Sequence, residues 1–135
     1  MKLTENFELK EFTRSNNAER LNIDNTPNEE QIENLRRLCV RVLQPLREAY
    51  RKPMYINSGY RSSELNKRVG GVATSQHLKG EAADVRVDDP RKLLTALLEF
   101  RLDFDQAILY NTFLHISYSS GHNRRQVLYA KGVQP

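Results

Sequence analysis

The sequence predicts an α+β fold in a single domain, with N-terminal helices packed on a small, mostly antiparallel sheet. Helical periodicity dominates the first half of the chain, and short strand-like runs separated by turn residues dominate the second half. This order of elements is typical of α+β domains. The length of 135 residues is that of one domain, since single domains contain on the order of 100–150 residues. We therefore expect one unit over residues 1–135.

The first half begins with an apolar lead segment, residues 1–25, which we expect to pack against the rest of the domain. A helix should start at residues 26–29, Thr-Pro-Asn-Glu, because Thr is a favourable cap, Pro suits the first helical position and Glu follows three residues after the cap. Apolar residues then recur at helical spacing and form a stripe for the core. Pro45 has no backbone N–H to donate and should bend or interrupt this helix.

The second half contains the main predicted strands, which are short apolar runs bounded by turn residues. Strands are expected at residues 54–57, 82–87, 104–110, 113–118 and 126–129, and helices at residues 64–69 and 91–100. The third and fourth of these strands should pair across a short turn at Asn111 and Thr112.

His77, Asp84 and His115 form a candidate metal-binding set in this half of the chain. His77 lies in a turn-like stretch of small and polar residues, and Gly80 can take the positive φ that lets the chain reverse. A closed structural zinc site uses four protein ligands, whereas three ligands leave a position for water, as a hydrolytic site requires. A metal bound here would therefore serve chemistry.

Asp84 is the member of this set whose burial is most costly. Strand alternation puts Ala83 and Val85 on one side and Asp84 on the other. An acid flanked by small and apolar residues is unfavourable unless it is paired or bound to a cation. Histidines that only make structural hydrogen bonds are also common, so the spacing alone leaves a structural role open beside the metal site.

Cys39 is the only cysteine. A Cys-rich structural zinc site and an intrachain disulfide are therefore both excluded within this chain. In a predicted helix, Cys39 is most simply a small buried apolar residue.

Three separated motifs carry a family resemblance. They are residues 56–62 (Ile-Asn-Ser-Gly-Tyr-Arg-Ser), the pattern S-x-H-x-x-G-x-A-x-D at residues 75–84, and the pattern H-x-S at residues 115–117. Together they resemble the zinc D-Ala-D-Ala carboxypeptidases and peptidoglycan endopeptidases of the M15 group, especially its small phage- and bacteroidete-type members. The resemblance covers about residues 54–130, with the motifs in the family's order.

The resemblance implies one zinc ion per chain, held by His77, Asp84 and His115. It also implies that Arg61 lies near the metal and polarises the scissile carbonyl or holds the substrate. The fold implied is the zinc fold that these peptidases share with hedgehog-type signalling domains, so the resemblance does not by itself establish catalysis. The residues expected to contact the substrate are Ser75 and Tyr60.

An obvious general base is missing from the motifs. Zinc hydrolases need a group that takes a proton from the attacking water and passes it to the leaving amine. Relatives often carry an acid a few residues before the last histidine ligand, or two residues after it. The residues at these places are Tyr110, Thr112 and Ser117, none of which is a good base near neutral pH.

Three titratable residues nearby are candidates for the base, namely Asp105, Glu81 and His122. Asp105 ranks first, because its strand should run beside the strand of His115 and bring the two side chains to one site. A structural role for Asp105, as a hydrogen-bond acceptor at the start of the strand, is equally open.

Charge and hydropathy limit the partners. The net charge is +4, but the basic residues are scattered and not interleaved with aromatic residues, so we expect no nucleic-acid partner. The positive field would help the protein approach an anionic cell wall. No apolar run reaches the roughly 20 residues of a membrane span, and the N-terminus lacks a signal peptide. We expect a cytoplasmic monomer as encoded, released to the cell wall in the manner of a prophage-type lysin.

Two functions remain open from the sequence. The first is a metallopeptidase that cuts a peptide bond in peptidoglycan stem peptides, as a carboxypeptidase or an endopeptidase. The second is a non-catalytic zinc domain of the same fold that binds a peptide or a cell-wall fragment. The complete ligand set and Arg61 favour the first function, and the missing acid favours the second.

Overall fold

A five-stranded sheet and the helices that pack against it form the body of the protein. The structure is a computed structural model and describes residues 1–135. The strands are β1 (Lys2–Thr4), β2 (Phe7–Glu8), β3 (Tyr55–Ser58), β4 (Ala82–Arg86), β5 (Gln106–Leu109), β6 (Phe113–Ser117) and β7 (Gln126–Tyr129). The helices are α1 (Leu9–Thr13), α2 (Asn16–Leu21), α3 (Glu29–Leu38), α4 (Gln44–Tyr50), α5 (Ser63–Arg68) and α6 (Pro90–Glu99). The predicted α+β class is confirmed. No helix has the length and apolar character needed to cross a membrane.

The sheet has the strand order β3-β4-β6-β5-β7. All neighbouring strands are antiparallel except β5 and β7, which run parallel. The predicted hairpin is confirmed, since β5 and β6 pair across the turn that follows Leu109. In the two central strands Asp84 lies directly opposite His115, so the register brings two of the candidate ligands together.

Side-chain alternation in β4 and β6 separates the core from the site. Ala83 and Val85 are fully buried on one face, together with Leu114 and Ile116 from β6. These residues belong to the same apolar cluster as the buried leucines of α3, α4 and α6. The intervening residues, Asp84 and His115, therefore project from the face of the sheet opposite the main core.

The long helical segment starts later than the sequence predicts. Asn28, not Thr26, is the cap of α3. The Asn28 side chain accepts a hydrogen bond from the Gln31 backbone N–H, and the Gln31 side chain accepts one from the Asn28 backbone N–H, each at 2.8 Å. This reciprocal capping box satisfies two backbone donors at once. The Thr26 backbone N–H, which a box formed by Thr26 and Glu29 would use, instead donates to Asp24 Oδ1 at 3.0 Å.

Pro45 affects this segment without breaking it. A wide π-helical turn, Cys39–Leu43, joins α3 to α4, and Pro45 lies in the first turn of α4. The proline ring crowds the carbonyl four residues earlier, and a wider turn gives that carbonyl more room. The predicted interruption is thus a change of helical pitch.

The lead segment packs against the domain as expected. The Phe7 and Phe12 side chains are buried in the main core, with ring centroids 6.1 Å apart. The segment folds into the β1–β2 hairpin followed by α1 and α2. None of these elements exceeds six residues, so none is long enough to show a clear hydrophobic period in the sequence.

Candidate metal centre

The structure brings His77, Asp84 and His115 into one cluster, in which one nitrogen or oxygen of each side chain lies within 4.8 Å of the others. His77 comes from a 3-10 turn, Gln76–Lys79, that precedes β4. Asp84 and His115 come from the paired strands β4 and β6. The two imidazole rings meet edge to face, with centroids 5.2 Å apart.

The orientation of His77 is fixed by a backbone carbonyl. Its Nδ1 lies 2.6 Å from the Gly59 carbonyl oxygen, an acceptor, so Nδ1 carries the proton and donates it. The other ring nitrogen, Nε2, lies 3.4 Å from Asp84 Oδ1. In a neutral ring this nitrogen has a lone pair, which would face a negatively charged oxygen. The contact is favourable only when a proton or a metal cation stands between the two atoms.

Residue 59, whose carbonyl oxygen accepts the hydrogen bond from His77, must be glycine because it packs closely against the lead segment. A Cβ atom at Gly59 would lie 2.7 Å from the Cα atom of Phe12, closer than real side chains approach. The same contact is held by a hydrogen bond from the Tyr60 backbone N–H to the Phe12 carbonyl, at 2.7 Å. The lead segment therefore supports the loop that orients His77.

Asp84 is ionised at the centre of the cluster. His115 Nδ1 lies 2.8 Å from Asp84 Oδ1, which is hydrogen-bond distance. Burial alone would raise the pKa of Asp84, but hydrogen bonds and positive charge from His115 and His77 outweigh it and hold that pKa well below its usual range. A carboxylate that stays charged while its side chain is 14% exposed requires cationic partners.

The donor set fits a zinc ion. Zinc binds imidazole nitrogen and carboxylate oxygen at about 2.0–2.1 Å in tetrahedral sites, which places two donor atoms on one ion about 3.3 Å apart. The separation of 3.4 Å between His77 Nε2 and Asp84 Oδ1 matches this spacing. The 2.8 Å separation between His115 Nδ1 and Asp84 Oδ1 is shorter, and would widen by about 0.5 Å on binding a tetrahedral ion.

Arg61 lies beside the cluster, as the sequence motif implies. Its Nη2 is 3.7 Å from Asp84 Oδ2. Its Nε donates to Ser58 Oγ at 3.2 Å, and its Nη1 donates to Asn66 Oδ1 at 3.1 Å. Burial lowers the pKa of Arg61, and the charge of Asp84 opposes that shift. The guanidinium is thus held by three partners and keeps one fixed orientation toward the carboxylate.

An open cleft of about 500 Å³ lies next to His115. We call it the His115 cleft, and its polar lining includes Ser75, Gln76, Glu81, Asp105, His115 and Arg124. Ser75 caps the turn of His77, because its Oγ accepts a hydrogen bond from the His77 backbone N–H at 3.2 Å. Tyr60 does not line this cleft. Its side chain belongs to the main core and is 7% exposed, and burial raises its pKa.

Asp105 enters the His115 cleft but is already fully bonded. Arg124 donates to it from Nε at 2.7 Å, from Nη2 at 3.0 Å and from its backbone N–H at 3.1 Å. Gln76 Nε2 donates to Asp105 Oδ2, the oxygen that also accepts from Arg124 Nη2, at 3.0 Å. The hydrogen bonds from Arg124 hold the pKa of Asp105 below its usual range, although burial opposes them. Such a carboxylate is a weak proton acceptor.

The other two candidates for the base differ in position. Glu81 lines the His115 cleft, and its carboxylate makes no hydrogen bond or ion pair with the protein. His122 is exposed in the turn that follows Ser119 and does not line the cleft. The structure therefore brings Glu81 and Asp105 to the cleft and leaves His122 outside it.

Gln76 and Arg124 are site residues that the sequence did not single out. Gln76 is 29 residues from Asp105 in sequence and Arg124 is 19 residues from it. No local sequence pattern predicts either contact. The only indication was the position of Gln76 next to His77. Arg124 stands in a basic pair that is most simply read as a solvated surface.

Two histidines and an aspartate close to an open cleft form a donor set of the kind that metal-dependent hydrolases use. Comparison with known families agrees, since a family model described as peptidase M15 matches residues 5–117. No match is found among curated proteins. The chain belongs to the peptidase M15 family. The matched region begins in the lead segment, well before the first motif at residue 56.

Proposed function

We propose that this protein is a zinc-dependent peptidase that hydrolyses a peptide bond in peptidoglycan stem peptides, as a carboxypeptidase or an endopeptidase. One observation carries the proposal. His77 Nε2 faces the ionised Asp84 at 3.4 Å, a contact that calls for a cation, and His115 of the same cluster borders a cleft large enough for a peptide. Membership in the family supports peptidase activity. The substrate class rests on the motifs that resemble D-Ala-D-Ala carboxypeptidases.

His77, Asp84 and His115 are the residues that would hold the zinc ion. Zinc bound there supplies a Lewis acid that activates water and polarises a carbonyl oxygen. Arg61 contributes a positive charge beside the same carboxylate, and we assign it to the carbonyl oxygen of the scissile bond, where negative charge develops. Its hydrogen bonds to Ser58 and Asn66 fix its position before substrate arrives.

Of the two residues predicted to contact the substrate, the position of Ser75 supports the prediction and the burial of Tyr60 does not. Ser75 lines the His115 cleft, and its hydroxyl hydrogen is free to donate because the oxygen is the acceptor for His77 N–H. We therefore propose that Ser75 donates a hydrogen bond to the substrate backbone. The burial of the Tyr60 ring favours a structural role for that residue.

Proton transfer requires a carboxylate that is free to accept. Glu81 meets this condition better than Asp105, because Asp105 is held by Arg124 and Gln76. We propose that Glu81 takes the proton from the attacking water. Asp105 as the base stays a prediction from the sequence, and it would require the carboxylate to release at least one of its present partners.

The decisive experiment is incubation of purified muropeptides with zinc-loaded protein, followed by mass analysis of the products. Wild-type protein should release a free D-alanine or split a cross-link, and His115→Ala should abolish the reaction. His122→Ala is the matched control, since it removes an exposed imidazole outside the cleft. Its turnover should equal that of the wild type.

Absence of turnover on every muropeptide would contradict the proposal. If the zinc-loaded protein still retained muropeptides in a binding assay, the second function, a non-catalytic zinc domain that binds cell-wall fragments, would replace it. Equal turnover by His115→Ala and wild type would also contradict the metal-site assignment.

A further inference from the structure

A second polar pocket, of about 300 Å³, shares Arg61 with the metal centre. We call it the arginine pocket. Two segments form most of it: residues 14–17, which include the loop before α2 and its first turn, and residues 57–61, which include the end of β3 and the loop after it. It includes neither the metal-ligand candidates nor the residues of the His115 cleft. The lead segment thus supplies one wall of a pocket that reaches the site.

The lining of the arginine pocket carries charge of one sign. It contains two guanidinium groups, Arg14 and Arg61, and otherwise serine, asparagine, glycine, tyrosine and aliphatic residues, with no acid among them. The Arg14 side chain is exposed and makes no hydrogen bond or ion pair with the protein. A free guanidinium beside neutral hydrogen-bonding groups is suited to a planar carboxylate.

Arg61 connects this pocket to the cluster. Its Nε donates to Ser58 Oγ, which also lines the pocket, while its Nη2 lies 3.7 Å from Asp84. A group bound in the pocket is therefore one side chain away from the metal ligands. Consecutive Cα atoms of a peptide are about 3.8 Å apart. One substrate could therefore place its cleaved bond at the metal centre and its terminal carboxylate in the pocket.

We propose that the arginine pocket binds a free carboxylate of the peptide substrate and that Arg14 is the residue that selects for it. The inference rests on the proposed peptidase function, since the carboxylate belongs to the same substrate. Arg14 acts by charge-assisted hydrogen bonds to the carboxylate, while Arg61 serves the carbonyl oxygen. Substrates that end in a carboxylate near the cleaved bond are thereby favoured over their amides.

Binding to the metal-free protein tests this assignment without relying on activity. N-acetyl-D-alanyl-D-alanine and its C-terminal amide are titrated into wild type, Arg14→Gln and Arg41→Gln, followed by two-dimensional NMR. Arg41 is the matched control, because it is an exposed arginine in the π-helical turn and lies outside the pocket. Arg14→Gln should weaken binding of the acid about tenfold, the loss of one charge-assisted contact, and leave the amide unchanged.

The two proposals fail in distinguishable ways. Discrimination between acid and amide that depends on Arg14, in a protein without turnover, supports the pocket and contradicts the peptidase. Equal binding of acid and amide by wild type overturns the pocket assignment whatever the turnover. An equal loss for Arg14→Gln and Arg41→Gln overturns it as well, because the effect would then be general charge. If inorganic phosphate displaced the acid and the amide equally well, the pocket would be an unselective anion site, and this result would also overturn the assignment.

Discussion

At the scale of single residues, one hydrogen bond decides the chemistry of the cluster. The Gly59 carbonyl holds the proton of His77 on Nδ1, and this leaves Nε2 to face Asp84. A metal-binding histidine usually has its second nitrogen fixed by such a partner, which sets both tautomer and ring angle. His77, a candidate ligand, is thus oriented before any ion binds.

Arg61 provides the first test at this scale. Arg61→Lys should lower turnover about 10²-fold and leave zinc content unchanged, because an ammonium cannot reproduce the planar fork of donors at a developing oxyanion. Steady-state kinetics and elemental analysis of the purified variant measure the two effects. Arg61→Ala is the companion variant. If both variants only lower the melting temperature and keep wild-type activity per folded molecule, Arg61 merely anchors Ser58 and Asn66.

The identity of the base gives the second test. Glu81→Gln should reduce kcat by about 10²–10⁴-fold with zinc still bound, the usual loss for a general base. Asp105→Asn should cost less, because it removes a carboxylate that is already engaged by Arg124. The pair is assayed side by side on the same muropeptide. The reverse order of losses would restore Asp105 as the base and give Glu81 a solvent-facing role.

At the scale of elements, Asp105 joins the turn of His77 to the end of the sheet. It accepts hydrogen bonds from Gln76, which precedes His77, and from Arg124 near the start of β7. Its own backbone N–H donates to the Ser117 carbonyl at the end of β6. Through its carboxylate and its backbone N–H, this one residue ties three other segments of the chain together around the cleft.

This clamp should make stability depend on pH in a defined direction. The pKa of Asp105 is lowered in the folded protein, so its contribution is complete above the unfolded value, about 3.9, and is lost as the pH falls through the folded value. Asp105→Asn should melt at a lower temperature than wild type at pH 7, and the difference should shrink below about pH 3. A difference that stays constant from pH 7 to pH 3 would show that the charge of Asp105 adds nothing to stability.

Local patterns predicted the elements that carry the ligands, and these predictions hold. Strand alternation around Asp84 and the pairing of the strand of His115 with β5 both follow from neighbours in sequence. The link from Asp105 to Arg124 and the support of Gly59 by Phe12 depend on the tertiary fold. They join residues whose approach is set by packing, and a single sequence contains no period or spacing that reports it.

At the scale of the whole molecule, the three candidate ligands come from a turn and two strands, so they come together only when the domain is folded. Bound zinc should therefore stabilise the native state. At a free zinc concentration one hundred times the dissociation constant, the gain is about 2.7 kcal/mol, or roughly 10 °C in melting temperature for a domain of this size. Calorimetry with and without chelator measures it.

The ligand variants provide the control for this effect. His77→Ala and His115→Ala should lose most of the bound zinc and the response to chelator, whereas His122→Ala should keep both. Stoichiometric zinc retained in both ligand variants would sink the assignment of the site.

Because Gly59 packs against Phe12, the shortest fragment of the chain that keeps the geometry of the candidate metal centre must include the lead segment. Every motif residue lies after residue 54, so a fragment starting there would keep all three candidate ligands. It would lose Phe12, against which the Gly59 loop packs, and with Phe12 the contact that holds the Gly59 carbonyl in position to orient His77. A truncated protein, or a second scaffold that receives this centre, must therefore include α1. The candidate ligands supply the donor atoms, but their orientation depends on the contact with Phe12.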